Sequence, residues 1–328
     1  MIKNYTLQGK SLVQTDSDEP LVQVYVNPDA DERNQLRELL DLDEHTLAST
    51  LDPDEISRVE HTPDYLLIIW KRPTSYTGGA SLQFDVVSVG LFLYENRLVI
   101  VAKDDLDLSS LPKMQLHDTS AARDILLALL FSTVHHFLGH LKAIKMLARD
   151  IQEKINTSME NRHLIQMFNL TESLIFYINS ISANASAIDR LRGQLVRLNA
   201  DQDAFDFLDD IVIENNQCLK QAEIYSSVLS GLMDARGNLV NNNMNLLLKN
   251  LTTINVVFLP LNLIASIGGM SEFSRFTEHF DWRISYFGFC LGMVIIGWLT
   301  AVLLNRMDFG VTGSSRKKAH RSWLPWRR

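Results

Sequence analysis

The chain has 328 residues, of which 46% are hydrophobic and 21% charged, with a formal net charge of −8. That length builds one large domain or two modest ones. The acid excess excludes the basic footprint of a nucleic-acid binder, and the two distant cysteines, Cys218 and Cys290, exclude a disulfide framework.

The charge is strongly segregated. Residues 1–245 carry 21 basic and 35 acidic side chains, residues 246–305 three of each, and residues 306–328 seven basic against one acidic. The chain therefore reads as an acidic body, a nearly uncharged apolar pair of segments and a basic tail. The opening MIKNYTLQGKSLVQTDSDEP has no apolar run of the signal-peptide kind, so the body is expected in the cytoplasm.

Along the body, residues 21–26, 65–70, 83–93 and 97–102 are rich in β-branched and aromatic side chains between Pro, Gly, Asn and Asp, which predicts strands. Tyr94-Glu95-Asn96 predicts a hairpin link. Residues 31–61 look helical, with a helix start at Pro53 after Asp52. From Ser120 the apolar residues recur at three- and four-residue spacing, predicting long helices with breaks near 157–161 and 199–202. A third helix begins near Ala204 and meets no proline before Pro260. At 1.5 Å per residue it would run about 90 Å, with Gly231 and Gly237 weakening it locally.

Leu246–Gly268 contains one charge, Lys249, and Ile284–Leu304 contains none. Each is long enough to cross a bilayer. The basic tail belongs on the cytoplasmic side, and the link from Gly269, with Glu272, Glu278 and Asp281 against Arg275, belongs outside. Both termini are then cytoplasmic. The expected fold class is an α+β membrane protein. Its parts are an α/β and helical cytoplasmic domain (1–203), the cytoplasmic part of a stalk helix (204–245), a first transmembrane helix continuous with it (246–268), a periplasmic loop (269–283), a second transmembrane helix (284–304) and a basic cytoplasmic tail (305–328).

One seam of the third helix is unusual. Alternating steps of four and three give Asn241, Asn245, Leu248, Thr252, Asn255, Leu259, Asn262 and Ser266, six of them polar within an apolar stretch. Polar groups do not face lipid, so the stripe faces other helices or water. Interhelical hydrogen bonding is one use. The other is a wet axis, in which symmetric copies turn each residue into a ring of neutral oxygens suited to a hydrated divalent ion, with Leu248, Leu251 and Leu259 as apolar constrictions.

Other clusters carry less. His135, His136 and His140 lie on one predicted helix, where the four-residue spacing of the last two fits a metal, but ordinary helix-surface histidines fit better. Asp203, Asp206, Asp210 and Glu214 share a helical face, either as a solvated acidic strip or as a cation site. No phosphate loop, nucleophile elbow or triad pattern occurs, so no catalytic residues and no tightly bound cofactor are expected.

The run DARGNLVNNNMNLLLKNLTTINVVFLPLNLIASIGGMS resembles the signature region of the CorA metal-transporter superfamily, to which CorA-, ZntB- and CmaX-type proteins belong. Asn245, Leu251-Thr252, Pro260 and Gly269-Met270 stand where that family has its Asn, Leu-Thr, Pro and Gly-Met. The resemblance implies a funnel-shaped homopentamer in the cell inner membrane. The first span would line the pore, a filter loop of Gly269, Met270 and Ser271 would guard the outer mouth, and the cargo would be Mg²⁺ or another divalent cation. It also implies Asp210 as a stalk metal ligand and Asp234 at the inner pore entrance. The chain departs from the family at Ser271, where the hallmark residue is Asn. A hydroxyl is shorter than a carboxamide and places its oxygen elsewhere. A non-conducting membrane sensor or assembly partner is therefore the alternative to a transporter.

Overall fold

The computed structural model describes residues 1–8, 11–17, 19–74, 82–106, 108, 111, 121–157, 161–198, 200–270, 275 and 281–316. The chain divides into two compact units, Met1–Asp234 and Ala235–Arg328.

The first unit is built on a seven-stranded sheet. Its strands are β1 (Ile2–Gln8), β2 (Ser11–Gln14), β3 (Val22–Val26), β4 (Arg58–His61), β5 (Leu66–Pro73), β6 (Val86–Leu93) and β7 (Leu98–Ala102), in the order β2-β1-β3-β7-β6-β5-β4. Only β3 and β7 pair in parallel. The central strands are apolar on both faces because both are covered. Ile68 and Trp70 enter one core and Leu67 and Ile69 the other, while Leu98 and Ile100 part from Val99 and Val101 in the same way. The smaller core lies under α1 (Ala30–Leu40) and α2 (Glu44–Leu51), the larger under α3 (Ala121–Thr157), α4 (Asn161–Arg197) and the first part of α5 (Gln202–Gly268). Gly90 on β6 is required by the thinner side, since a methyl there would overlap the Thr50 side chain of α2.

The four predicted strands form, and Tyr94 N donates to Arg97 O across the predicted hairpin link. Strand β6 begins at Val86 rather than at residue 83, because Phe84 N instead donates to Ser173 Oγ of α4. The helical expectation for 31–61 is corrected. Two short helices form there, each capped by an aspartate: Asp29 makes a capping box with Glu32, and Asp43 accepts from Thr46 N. Asp41 closes α1 in the left-handed region at φ 48°. Pro53 starts no helix; the proline holds the preceding Asp52 out of the helical region at φ −78°, ψ 117°, which ends α2, and the chain then enters β4. Strands β1, β2 and β4 were not expected from the sequence.

The three long helices begin and end close to the predicted breaks, α5 starting at Gln202 instead of Ala204. Helix α5 has 67 residues and continues through Gly231, Gly237 and Pro260. Asn184 of α4 fastens the helical layer to the sheet. It is fully buried, accepts from Lys71 N (3.0 Å) and Ser57 Oγ (2.7 Å), and donates to Lys71 O (2.8 Å).

In the second unit the last part of α5 is accompanied by α6 (Trp282–Arg316), which runs past the expected end at Leu304. Among the described residues, three helices are long and apolar enough to cross a membrane by length and composition: 121–155, 202–268 and 283–304. The apolar window of the first is 72% buried within the chain, so packing accounts for it, whereas the windows of α5 and α6 are 0% buried.

Candidate pore-lining site

The stripe on α5 is built by helix phase. Between 255 and 268 the half-buried positions are Val257, Pro260, Leu261, Ile264 and Gly268, again at three- and four-residue steps. This face meets α6. A methyl on Gly268 would overlap the Phe289 ring, and one on Gly297 would come within 3.2 Å of Leu261 Cδ1. Ser285, Phe289, Met293, Gly297, Thr300 and Leu304 form the matching half-buried line on α6. At about 100° per residue, the mean direction of Asn255, Leu259, Asn262 and Ser266 lies about 180° from the α6-facing line. The polar stripe is thus turned away from the second apolar helix, and all eight of its residues are exposed.

Its hydrogen-bonding state is equally distinctive. Thr252 Oγ1 donates to Leu248 O at 2.8 Å, which consumes its proton and leaves its oxygen as an acceptor; neighbouring Thr253 does the same toward Lys249 O at 2.9 Å. Among the described residues, the carboxamides of Asn241, Asn245, Asn255 and Asn262 bond to no other group of the chain. Two of these unspent amides, Asn255 and Asn262, lie within the apolar segment 246–268, where they would be costly against lipid. They need water, an ion's hydration shell or copies of themselves.

The helix ends at the predicted loop, where Gly269 N donates to Ala265 O (3.1 Å) and Met270 N to Ile267 O (3.1 Å). Ser271, Glu272 and Glu278 lie outside the described residues, as does the basic tail from residue 317.

The expected metal ligands do not assemble within one chain. Asp210 and Asp234 are exposed, Asp203 is exposed beside them in sequence, Asp206 accepts from Gln202 Nε2 (2.8 Å), and Glu214 is half-buried. Among the described residues no three His, Cys, Asp or Glu side chains come together as a metal centre. A stalk site would need carboxylates from a second copy.

The histidine cluster also separates, and the helix-surface expectation is corrected for His140. Its Nδ1 lies 2.6 Å from Tyr177 Oη and its ring stacks on that phenol, buried at 8% exposure. Exposed His135 turns back to Phe131 O at 3.2 Å. Burial, reinforced by His136, holds the His140 pKa down at about 4 against an ordinary 6.5. Folding therefore disfavours its protonation. The stability that neutral His140 contributes is fully present above pH 6.5 and is lost as pH falls from 6.5 to about 4, amounting at most to about 3 kcal/mol. Thermal unfolding across that window should show the loss in the parent protein and a flatter profile in His140→Gln; identical profiles would remove His140 as the cause.

A family model, described as the CorA-like Mg²⁺ transporter protein, matches residues 24–306. The chain belongs to the CorA-like Mg²⁺ transporter family. Among its relatives, the cobalt/magnesium transport protein CorA of Methanocaldococcus jannaschii is 22% identical over 252 residues, covering 75% of this chain and 78% of that one. The complete structure of the CorA magnesium transporter from the same organism superposes with a TM-score of 0.74 at 18% identity, covering 93% of this chain and 96% of the other. The structure of the full-length CmaX protein superposes with a TM-score of 0.65 at 15% identity, covering 81% and 86%. These likenesses establish a CorA-like fold, and the expected resemblance at Asn245, Pro260 and Gly269-Met270 falls inside the matched region.

Proposed function

We propose that this CorA-like chain moves a divalent cation, Mg²⁺ or the related Zn²⁺, Co²⁺ or Ni²⁺, across the cell inner membrane through a channel-like homopentamer. The observation that carries this reading is the line of unspent Asn241, Asn245, Asn255 and Asn262 carboxamides on the α5 face opposite α6. Around a symmetry axis, that face makes rings of neutral oxygens while α6 meets lipid. Mg²⁺ gives up its water reluctantly, so rings that hydrogen-bond the hydration shell let it pass without a tight carboxylate cage. Leu248 and Leu259 are the apolar rings that close the path by dewetting. Gly269, Met270 and Ser271 form the outer filter, Asp234 gathers cations at the inner entrance and Asp210 ligates a regulatory ion between copies. Both termini lie in the cytoplasm. The relative named as a cobalt/magnesium transport protein supports the ion class.

Purified protein in liposomes loaded with a Mg²⁺-sensitive dye should give uptake driven by an inside-negative potential. Absence of Mg²⁺, Zn²⁺, Co²⁺ and Ni²⁺ flux above that of empty vesicles would reject transport. Ser271 supports the second reading, a non-conducting sensor or assembly partner, because the family's Asn is replaced at the filter. Flux that appears only after Ser271→Asn selects the sensor; flux in the parent protein selects the transporter.

A further inference from the structure

A cavity of about 1070 Å³ lies in the first unit, between the ends of β5 and β6, the segment after β7, and helices α3 and α4. That volume suits a small-molecule ligand. Its central feature is Arg72. Successive residues of a strand leave on opposite faces. Lys71 goes to the α2 side, where its Nζ donates to Pro53 O and to Ser88 Oγ (2.9 Å), and Arg72 goes to the cavity. Arg72 is 9% exposed, yet no carboxylate pairs with it among the described residues. Its Nη2 reaches the main-chain oxygens of Asp104 (3.3 Å) and Asp105 (3.4 Å), and among the described residues its Nε has no partner. A buried guanidinium is ordinarily paired, because desolvating an unpaired charge is expensive. The Asp104 and Asp105 carboxylates act on it only from beyond ion-pair distance, which leaves its place for a close anionic partner open.

The surroundings define what kind. His136 lines the cavity from α3 with its ring partly exposed; desolvation, and then the Arg72 charge, lower its pKa, and its imidazole can bond an oxygen. Ser132 and Ser180 add hydroxyls, and exposed Lys103 stands at the edge. Carboxylates are present too. Asp105 is engaged by Lys3 at 2.6 Å, whereas Asp54, Asp85 and Asp104 line the cavity on its solvent side. A bare polyanion would meet those three carboxylates on entry. A Mg²⁺-chelated oxyanion presents negative oxygens to Arg72 and a cation to the aspartates, the usual arrangement in which Mg²⁺ is held by one or two carboxylates together with a ligand's oxygens.

We propose that this cavity binds a small phosphate- or carboxylate-bearing molecule as its Mg²⁺ chelate, with the Arg72 guanidinium anchoring the oxyanion. The site is separate from the stripe on α5 and does not depend on conduction. The test is calorimetric titration of the full chain in detergent with sodium pyrophosphate and, separately, with citrate, each in MgCl₂ and in EDTA. The expected result is saturable binding of at least one probe in MgCl₂, weaker by about tenfold or more in EDTA and in Arg72→Met. Pyrophosphate alone would identify a phosphate ligand and citrate alone a carboxylate ligand. Lys103→Glu, an exposed change that leaves the core intact, should weaken the same titration if Arg72→Met does not fold. Failure of both probes to bind, equal binding with and without Mg²⁺, or binding unchanged in the folded variants would overturn the proposal.

Discussion

Asn262→Leu should reduce Mg²⁺ uptake into liposomes about a hundredfold or more while leaving the oligomer intact. The two halves of this expectation have different causes. Asn262 is exposed in the single chain, bonds to nothing among the described residues, and lies on the side of α5 away from α6, so the substitution removes no described intrachain hydrogen bond. Leucine also suits a helix in lipid. In the proposed path, however, every copy would contribute the same residue. The change replaces a ring of carboxamides by a ring of isobutyl groups one helical step from Leu259, joining two apolar constrictions into one. A hydrated divalent ion then loses several charge-assisted hydrogen bonds of roughly 1.5–3 kcal/mol each without gaining any, and 2.7 kcal/mol already corresponds to about a hundredfold in rate. Dye-reported uptake, with oligomer size checked by size-exclusion chromatography with light scattering, separates the two halves. Undiminished flux in an intact oligomer would place Asn262 outside the path.

How much of this was visible in the sequence depends on which force dominated each segment. Strands β5, β6 and β7 were legible because both faces are covered, which makes them unbroken apolar runs such as Leu66–Trp70 and Leu98–Ala102. Strands β1, β2 and β4 were not, because they stand at or next to the sheet margins with polar residues such as Asn4, Gln14 and Glu60; only their pairing makes them strands. The break between α1 and α2 rests on one aspartate adopting a left-handed backbone, which composition does not disclose. The stripe was legible because a membrane permits few reasons for asparagines in an apolar helix, and helix phase alone then aims them. What the sequence lacked was the position of α6, which Gly268 and Gly297 supply by admitting Phe289 and Leu261. Arg72 was invisible as a site residue. At a strand end it looks like a solvent charge, and its burial comes from α3 and α4, whose contributing residues lie about 60 to 110 positions further along the chain. The only local hint was a Lys-Arg pair directly after five buried apolar residues.

Asn184→Leu should be the most damaging single substitution for stability outside the spans, lowering the unfolding temperature by about 10 °C. Leucine matches asparagine in branching but is bulkier, so overpacking adds to the loss of hydrogen bonds. The antiparallel pairing of β4 with β5 ends at Arg58 opposite Ile69. Beyond that point, on the margin of β5, Lys71 N and Lys71 O have lost their strand neighbour. The Asn184 carboxamide takes its place, offering Oδ1 to the N–H and Nδ2 to the C=O as a passing peptide would, while Oδ1 also receives the Ser57 hydroxyl. All of this is buried, with Asn184 at 0% exposure and Ser57 at 5%. Leucine would strand a backbone donor, a backbone acceptor and a hydroxyl without water, each costing about 1–3 kcal/mol, for a total of roughly 4 kcal/mol after partial relaxation. Ser57→Ala loses one bond and strands nothing on its own side, so it should cost only about 1 kcal/mol. Thermal unfolding of both variants beside the parent and Asn184→Ala, which strands the same groups without adding bulk, decides the matter: losses of several degrees in both Asn184 variants and a small one in Ser57→Ala assign the stability to the amide's mimicry of a strand, and a small loss in Asn184→Ala would assign the damage in Asn184→Leu to overpacking.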